Sequence, residues 1–299
     1  MIYSIGEMLI DLMEKDGAYI PFPGGAPANV AAHAKLCGAN SYFVGKLSKD
    51  NFGNLLADTL KKYGIYYPLP RSNKNTTLAL VSHTDGERAF SFYRANTADL
   101  DLDIIDIDSI PFRSKDILHL CSLGLVSQGT TRLAHYHAIN KCKDEKGIIS
   151  FDVNLREGLW DNLSLAKEQV FRILEVSDII KMNEDELYWL TKYGTVEEGL
   201  KQIHTQNQLI ICTMGAKGAV TLTSQGNFIY SNSVSVEQVD STGAGDSFIA
   251  VILASLSKSK LDFLDWQDTL LEDALSDAHY ISGQVVAKHG AVPKISYWR

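Results

Sequence analysis

Nowhere do the 299 residues string together the ~18 uncharged apolar side chains of a membrane-spanning helix, so no role inside a bilayer is expected. No CxxC pair exists either. Cys37, Cys121, Cys142 and Cys212 lie far apart, a pattern of reduced, mostly buried thiols rather than of a metal knot or a disulfide framework. The 28 Lys and Arg against 36 Asp and Glu leave a formal charge of −8 and no basic face, which argues against a general nucleic-acid binder; no nucleic-acid partner is expected. The opening MIYSIGEMLIDLMEKDG has no basic leader and carries Glu7 and Asp11 within its apolar stretch; no signal peptide is expected, and the expected compartment is the cytoplasm. Two common phosphate-binding devices are missing as well. No GxxxxGK[ST] occurs, and the first strand runs into Gly6-Glu7-Met8-Leu9 rather than a GxGxxG turn. Finally, Ser231–Ser257 contains no Lys or Arg.

What is present reads as one α/β domain over residues 1–299. Strand-like runs at Ile2–Ile5, Ser41–Val44, Asp116–Leu120, Gly147–Val153, Asp178–Met182, Leu209–Thr213 and Ala219–Thr223 recur along the chain. Helical patterns lie between many of them, at Pro27–Cys37, Asn51–Tyr63, Thr131–Lys143, Leu165–Val176 and Val196–Thr205. Such alternation predicts a mostly parallel central sheet flanked by helices. Two pieces interrupt it: a short strand in Asp16–Phe22, and a hairpin of Thr77–Ser82 and Arg88–Tyr93 turning at Asp85-Gly86. They predict a small separate sheet, formed by about residues 11–22 and 75–98, that closes as a lid over a small substrate.

The most informative stretch is Val239–Phe248, VDSTGAGDSF. Gly243 and Gly245 let the backbone bring its N–H groups close to a ligand. The residues after Asp246 are apolar on nearly every face and predict a buried helix. A glycine turn opening such a helix aims unpaired N–H groups and the positive dipole end at one spot, which suits phosphate. Asp246 would repel that phosphate unless it has another task. It is either a helix cap or the acceptor of a proton from an attacking hydroxyl. His135 and His137, two apart on a predicted helix, diverge around its axis and read as solvated surface residues.

Asp240–Phe248 resembles the DTxGAGDxF signature of the ribokinase-like (PfkB-type) carbohydrate kinases, and the likeness extends over almost the whole chain. Pro23–Ala31 is similar to the family's amino-terminal glycine motif, and Asp152-Val153-Asn154-Leu155-Arg156 to D-x-N-x-R. Asn183–Glu186 fits N-x-x-E, Thr213–Gly218 fits T-x-G-x-x-G, and Lys288–Pro293 resembles RxGAxP. The resemblance implies a ribokinase-like fold and an ATP-dependent kinase. Asp246 would be the general base; Gly243, Ala244, Gly245 and Asp246 would supply the anion hole; Arg156 would approach the phosphate. It places Asp11, Gly25 and Asn29 on the sugar. Asn183 and Glu186 would order Mg²⁺ through water, and Glu186 would also complete a capping box. Thr213, Gly215, Lys217 and Gly218 would line the nucleotide pocket with Gly245, and His279 would lie beside the adenine. A K⁺ ion would be held by Asp240 and by carbonyls near Thr242, Val285, Lys288 and Gly290.

Within the family the chain is most similar to the fructokinases, through Gly24–Asn29, Thr76–Val81, Asp85–Arg94 and Asn154–Trp160. This implies D-fructose as substrate, with Phe92 and Arg94 of the hairpin facing it. Kinases of 2-keto-3-deoxygluconate, ribose or aminoimidazole riboside share much of the pattern, and a catalytically silent sugar-binding or regulatory protein would keep the same fold. A homodimer through the lid is a further expectation from the family.

Overall fold

The computed structural model of the protein describes residues 1–15, 17–84 and 87–297. In chain order, β1 (Ile2–Ile5) leads to β2 (Leu9–Lys15), β3 (Ala18–Gly24) and α1 (Ala26–Leu36). Then come β4 (Ser41–Val44), α2 (Asn51–Lys62), β5 (Leu78–Thr84), β6 (Glu87–Tyr93) and a short α3 (Ile104–Asp108). The second half runs β7 (Ile117–Cys121), α4 (Thr131–Asp144), β8 (Ile148–Asp152), α5 (Leu163–Leu174), β9 (Ile179–Asn183), α6 (Glu184–Thr191) and α7 (Val196–Ile203). It ends with β10 (Leu209–Thr213), β11 (Ala219–Leu222), β12 (Phe228–Ser231), α8 (Ala244–Lys258) and α9 (Phe263–Val286).

Eight strands form the main sheet in the order β12-β11-β10-β9-β8-β7-β1-β4, parallel from β10 to β4 and antiparallel at the β11–β12 end. Side chains alternate along each strand, so the sheet feeds two cores. Ile5, Leu118, Leu120, Ile149, Phe151, Ile180 and Met182 point to one face, with residues of α4, α5, α6 and α7. Ile2, Ile117, Ile179, Leu209 and Ile211 point to the other, with α1, α8 and α9. The second sheet, β3-β2-β5-β6, stands apart, and its turn expected at Asp85-Gly86 lies outside the described residues. The strand expected in Asp16–Phe22 runs on through Gly24 and passes directly into α1 at Gly25. Asp50 ties the parts together: its carboxylate caps α2 through the Gly53 N–H (2.7 Å) and also takes the Thr76 N–H (2.7 Å) just before β5.

One surface expectation is overturned. His135 is fully buried, because Thr131, Ala134, His135 and Ala138 form the inward face of α4; His137, on the other side, pairs with Asp108 at 2.8 Å. The four cysteines are buried free thiols. Among the described residues no helix is long and apolar enough to cross a membrane.

Candidate active site

The alternation that builds the cores also builds the site. With Phe151 and Met182 turned to one core, Asp152 and Lys181 turn to the opposite face, beneath α8. Cys121, Asp152 and Lys181 are register partners on three neighbouring parallel strands, so they form a row across the carboxyl ends of β7, β8 and β9. In an open α/β sheet that edge is where ligands bind. The Lys181 ammonium lies 2.9 Å from Asp152 Oδ2, with both side chains buried. Burial alone would lower the lysine's pKa, but the carboxylates of Asp152 and Glu186 outweigh it and hold the pKa above its ordinary value.

Above this row begins α8. Gly243 is its N-cap, in the left-handed region at φ 78°, and a Cβ there would run into the Ala291 carbonyl. Gly245 follows two residues on, within the first turn, where a Cβ would come within 2.7 Å of Lys181 Nζ. The helix start therefore rests almost directly on a buried cation. The first-turn N–H groups have no intrahelical acceptor by geometry. The Ala244 N–H, expected in the anion hole, donates to the Ser241 carbonyl at 3.3 Å.

Asp246 does not cap α8. The N-cap, Gly243, makes no side-chain cap bond, and Asp246 Oδ2 accepts from Asn29 Nδ2 of α1 at 2.8 Å. Burial pushes its carboxyl up to about 6, against the lowering influence of the Asn29 bond and of Lys181 and Arg156. A carboxyl tuned toward neutral pH in a cleft has the properties of a general base.

Asp246 and Asn29 border a cleft of about 340 Å³. Its walls include Asp11, Gly25 and Phe92 on one side, Ser241, Thr242, Gly243 and Gly245 on another, and Arg156, Lys181, Asn183 and Glu186 on a third. Gly25, at φ 110°, has no room for a Cβ, which would lie 2.6 Å from the Glu7 carbonyl. Asn183 and Glu186 form a full capping box at the start of α6, and Glu186 Oε1 also accepts the Leu155 N–H at 2.8 Å. That second bond pins the D-x-N-x-R loop to α6.

Other expected residues do not reach this cleft. Arg94 is buried behind it, its Nε 2.7 Å from Asp99 Oδ2 and its Nη2 donating to the Leu123 carbonyl; it is an internal ion pair, not a wall. Lys217 is exposed beside Glu184 at 3.3 Å. Thr213 pairs with Asn183 in the sheet and donates to the Met182 carbonyl, while Gly215 and Gly218 turn the chain between β10 and β11. His279 is buried on α9, edge-on to Phe248 with centroids 5.0 Å apart and 2.9 Å from Ser231 Oγ. Asp240 joins two loops, taking the Thr242 N–H at 2.8 Å and the Gly290 N–H at 3.0 Å. Lys288 Nζ donates to the Lys294 carbonyl, and the Val285 carbonyl accepts the Lys288 N–H.

A family model, the pfkB family carbohydrate kinases, matches residues 1–296. The chain belongs to that family. Related proteins include the probable fructokinase-5 of Arabidopsis thaliana, 36% identical over 99% of this chain and 94% of that one. Fructokinase-1 of Zea mays is 32% identical over 99% and 94%. Among solved structures, a double mutant of the Vibrio cholerae O395 fructokinase bound to fructose, ADP and potassium ion superimposes with a TM-score of 0.87, at 31% identity over 97% of this chain and 93% of that one. The aminoimidazole riboside kinase of Salmonella enterica gives 0.85 at 27% identity, over 97% and 94%. The protein is thus a PfkB carbohydrate kinase with the ribokinase-like fold.

In this PfkB kinase Glu7, Cys121 and Lys181 line the cleft although the sequence reading gave them no role at the site. Asp152, the partner of Lys181, appeared there only as part of the D-x-N-x-R match. The signal was present, since Glu7, Asp152 and Lys181 are charges inside otherwise apolar runs of buried strand or strand end. Such charges are rare unless paired or in use.

Proposed function

We propose that the protein transfers the γ-phosphoryl group of ATP to the 6-hydroxyl of D-fructose. The observation that carries this reading is the start of α8: a buried, proton-accepting Asp246 beside a glycine-opened helix end, in one cleft with a buried lysine. Asp246, held by Asn29, takes the hydroxyl proton as the sugar oxygen forms its bond to phosphorus and the bond to the ADP oxygen breaks. The N–H groups of Gly243, Gly245 and Asp246 and the ammonium of Lys181 stabilise charge on the moving phosphoryl. Arg156, exposed at the cleft, adds a second positive charge. Asp11, Asn29 and Phe92 hold the sugar. Thr213, Gly215, Lys217, Gly218 and His279 lie on the nucleotide side, toward which the β9–β10 edge continues.

The donor set fits a hydrated Mg²⁺. Glu186 is fixed by two backbone N–H groups yet keeps acceptor capacity, and Asp152 Oδ1 is buried without a hydrogen-bond partner among the described residues. When bound, the ion would neutralise phosphate charge. The Asp240 carboxylate, which takes the Thr242 and Gly290 N–H groups, would hold K⁺ together with carbonyls of Thr242, Val285, Lys288 and Gly290, stiffening the loop that enters α8. The compartment consistent with this reading is the cytoplasm. The exposed Tyr19, Ile20, Phe22 and Tyr93 of the second sheet support a lid that also joins two copies; sedimentation at the 33.0 kDa monomer mass would sink that part.

A coupled ADP-release assay over a panel of sugars tests the whole. D-Fructose is expected to give the highest kcat/KM, with fructose 6-phosphate as product. Preference for 2-keto-3-deoxygluconate, ribose or aminoimidazole riboside would replace the substrate, and no ADP release with any sugar would indicate a silent binding protein. Replacing K⁺ with tetramethylammonium in the same assay is expected to depress turnover; an unchanged rate would remove the cation site.

A further inference from the structure

We propose that Glu7 is a sugar-binding, specificity-determining residue whose carboxyl takes a hydroxyl of the sugar. Glu7 lies just past β1, on the loop that turns toward the second sheet, and it lines the same cleft as Asp11, Asn29 and Asp246. It is 4% exposed, and its Oε2 meets no hydrogen-bond partner among the described residues. A buried carboxylate oxygen without a donor is costly, and the cost is tolerated where a ligand supplies the donor. Neighbouring groups do not supply it. The Arg94 guanidinium acts on Glu7 electrostatically, but its Nε is turned to Asp99 and its Nη2 to the Leu123 carbonyl, and it makes no hydrogen bond to Glu7 Oε2; Asp99 is itself an acceptor. The Cys121 thiol, which also lines the cleft, is a weak donor. Burial also pushes the Glu7 carboxyl up to about 7, so near neutrality it can both give and take a hydrogen bond, as a sugar hydroxyl does.

The loop's geometry keeps this carboxyl in place. The Glu7 carbonyl packs against Gly25, where no Cβ fits, so the β1–β2 loop and the start of α1 are locked together. Glu7 therefore belongs to the rigid floor of the site rather than to the second sheet.

This inference rests on the kinase reading above, and its test separates the two. Glu7→Met, which keeps the length of the side chain but has no group to hold a hydroxyl, and the unaltered enzyme are assayed with fructose and with a series of singly deoxygenated fructoses. The expected result is a KM for fructose raised about 10- to 100-fold, the range for losing a hydrogen bond to a charged group, with kcat and the KM for ATP nearly unchanged. For one deoxy sugar, the one lacking the hydroxyl that Glu7 holds, the penalty of the substitution disappears. That deoxy sugar is also expected to be a poor substrate of the unaltered enzyme, a readout that does not depend on how the variant folds. An equal penalty across all the sugars, or none, would overturn the assignment. If the unaltered enzyme prefers another sugar, the substrate reading fails, and the same comparison on deoxy forms of that sugar still decides Glu7.

Discussion

Asp246→Asn is expected to lower kcat by ~10²–10⁴, the usual range for loss of a positioned general base, while the KM for the sugar changes far less. Asn keeps the shape and can still accept from Asn29 through its amide oxygen, so the hydrogen bond that joins α8 to α1 survives. What it cannot do is take a proton. The pH profile gives a second readout. The carboxyl is pushed up to about 6, and the base works only when ionised, so activity of the unaltered enzyme should rise with pH through about 6 and level off above 7. The residual activity of Asp246→Asn should lack that limb. The same shift controls against misfolding. A carboxyl whose pKa rises on folding, here from 3.8 to about 6, opposes folding once pH exceeds the folded value and is without effect below the unfolded one. The difference amounts to on the order of 3 kcal/mol at high pH. The asparagine variant is thus expected to melt no earlier than the unaltered protein at pH 8. Near-normal turnover in that variant would remove Asp246 from the base role.

The parts of the fold that repeat a simple pattern were legible in the residues. Apolar strands alternating with amphipathic helices gave the parallel sheet, and the hairpin that interrupts this alternation marked β5–β6 as separate. Elements whose signal is tertiary were not. The 24-residue α9 carries acidic residues along much of its length and shows its buried face only against α8. The short β12, with half-exposed side chains, gains its identity from pairing with β11. His135 shows the same limit at one residue, since spacing alone did not tell which side of α4 faces the sheet.

At the site, glycine motifs were readable because their backbone geometry is demanding, as at Gly25 and Gly243. The placement of long side chains was not. Arg94 was expected to face the sugar, yet Asp99, five residues on, captures it inside the protein. A local acid near a cation in sequence gives no warning of which will win. Lys181 is the opposite case, a cation in a buried strand whose purpose appears only when β8 is laid beside β9.

Lys181 also answers the absence noted at the start, a helix-opening segment with no positive charge from Ser231 to Ser257. The sheet beneath supplies it. Lys181→Met should lower kcat by ~10²–10³, comparable to removing one preorganised oxyanion donor, with little change in sugar affinity. The substitution also leaves the Asp152 carboxylate buried and unpaired, which costs about 3–5 kcal/mol in stability and would confuse the reading. The double variant Lys181→Met, Asp152→Asn removes that charge, so it is expected to recover most of the lost melting temperature. Its kinetics are compared with Asp152→Asn alone, so that position 152 is constant and only the ammonium differs. If Lys181 stabilises the moving phosphoryl, the double variant is as stable as Asp152→Asn but remains ~10²–10³ slower. Equal turnover in the two would reduce Lys181 to a counter-ion for Asp152 and leave the helix end to act without a cation beneath it.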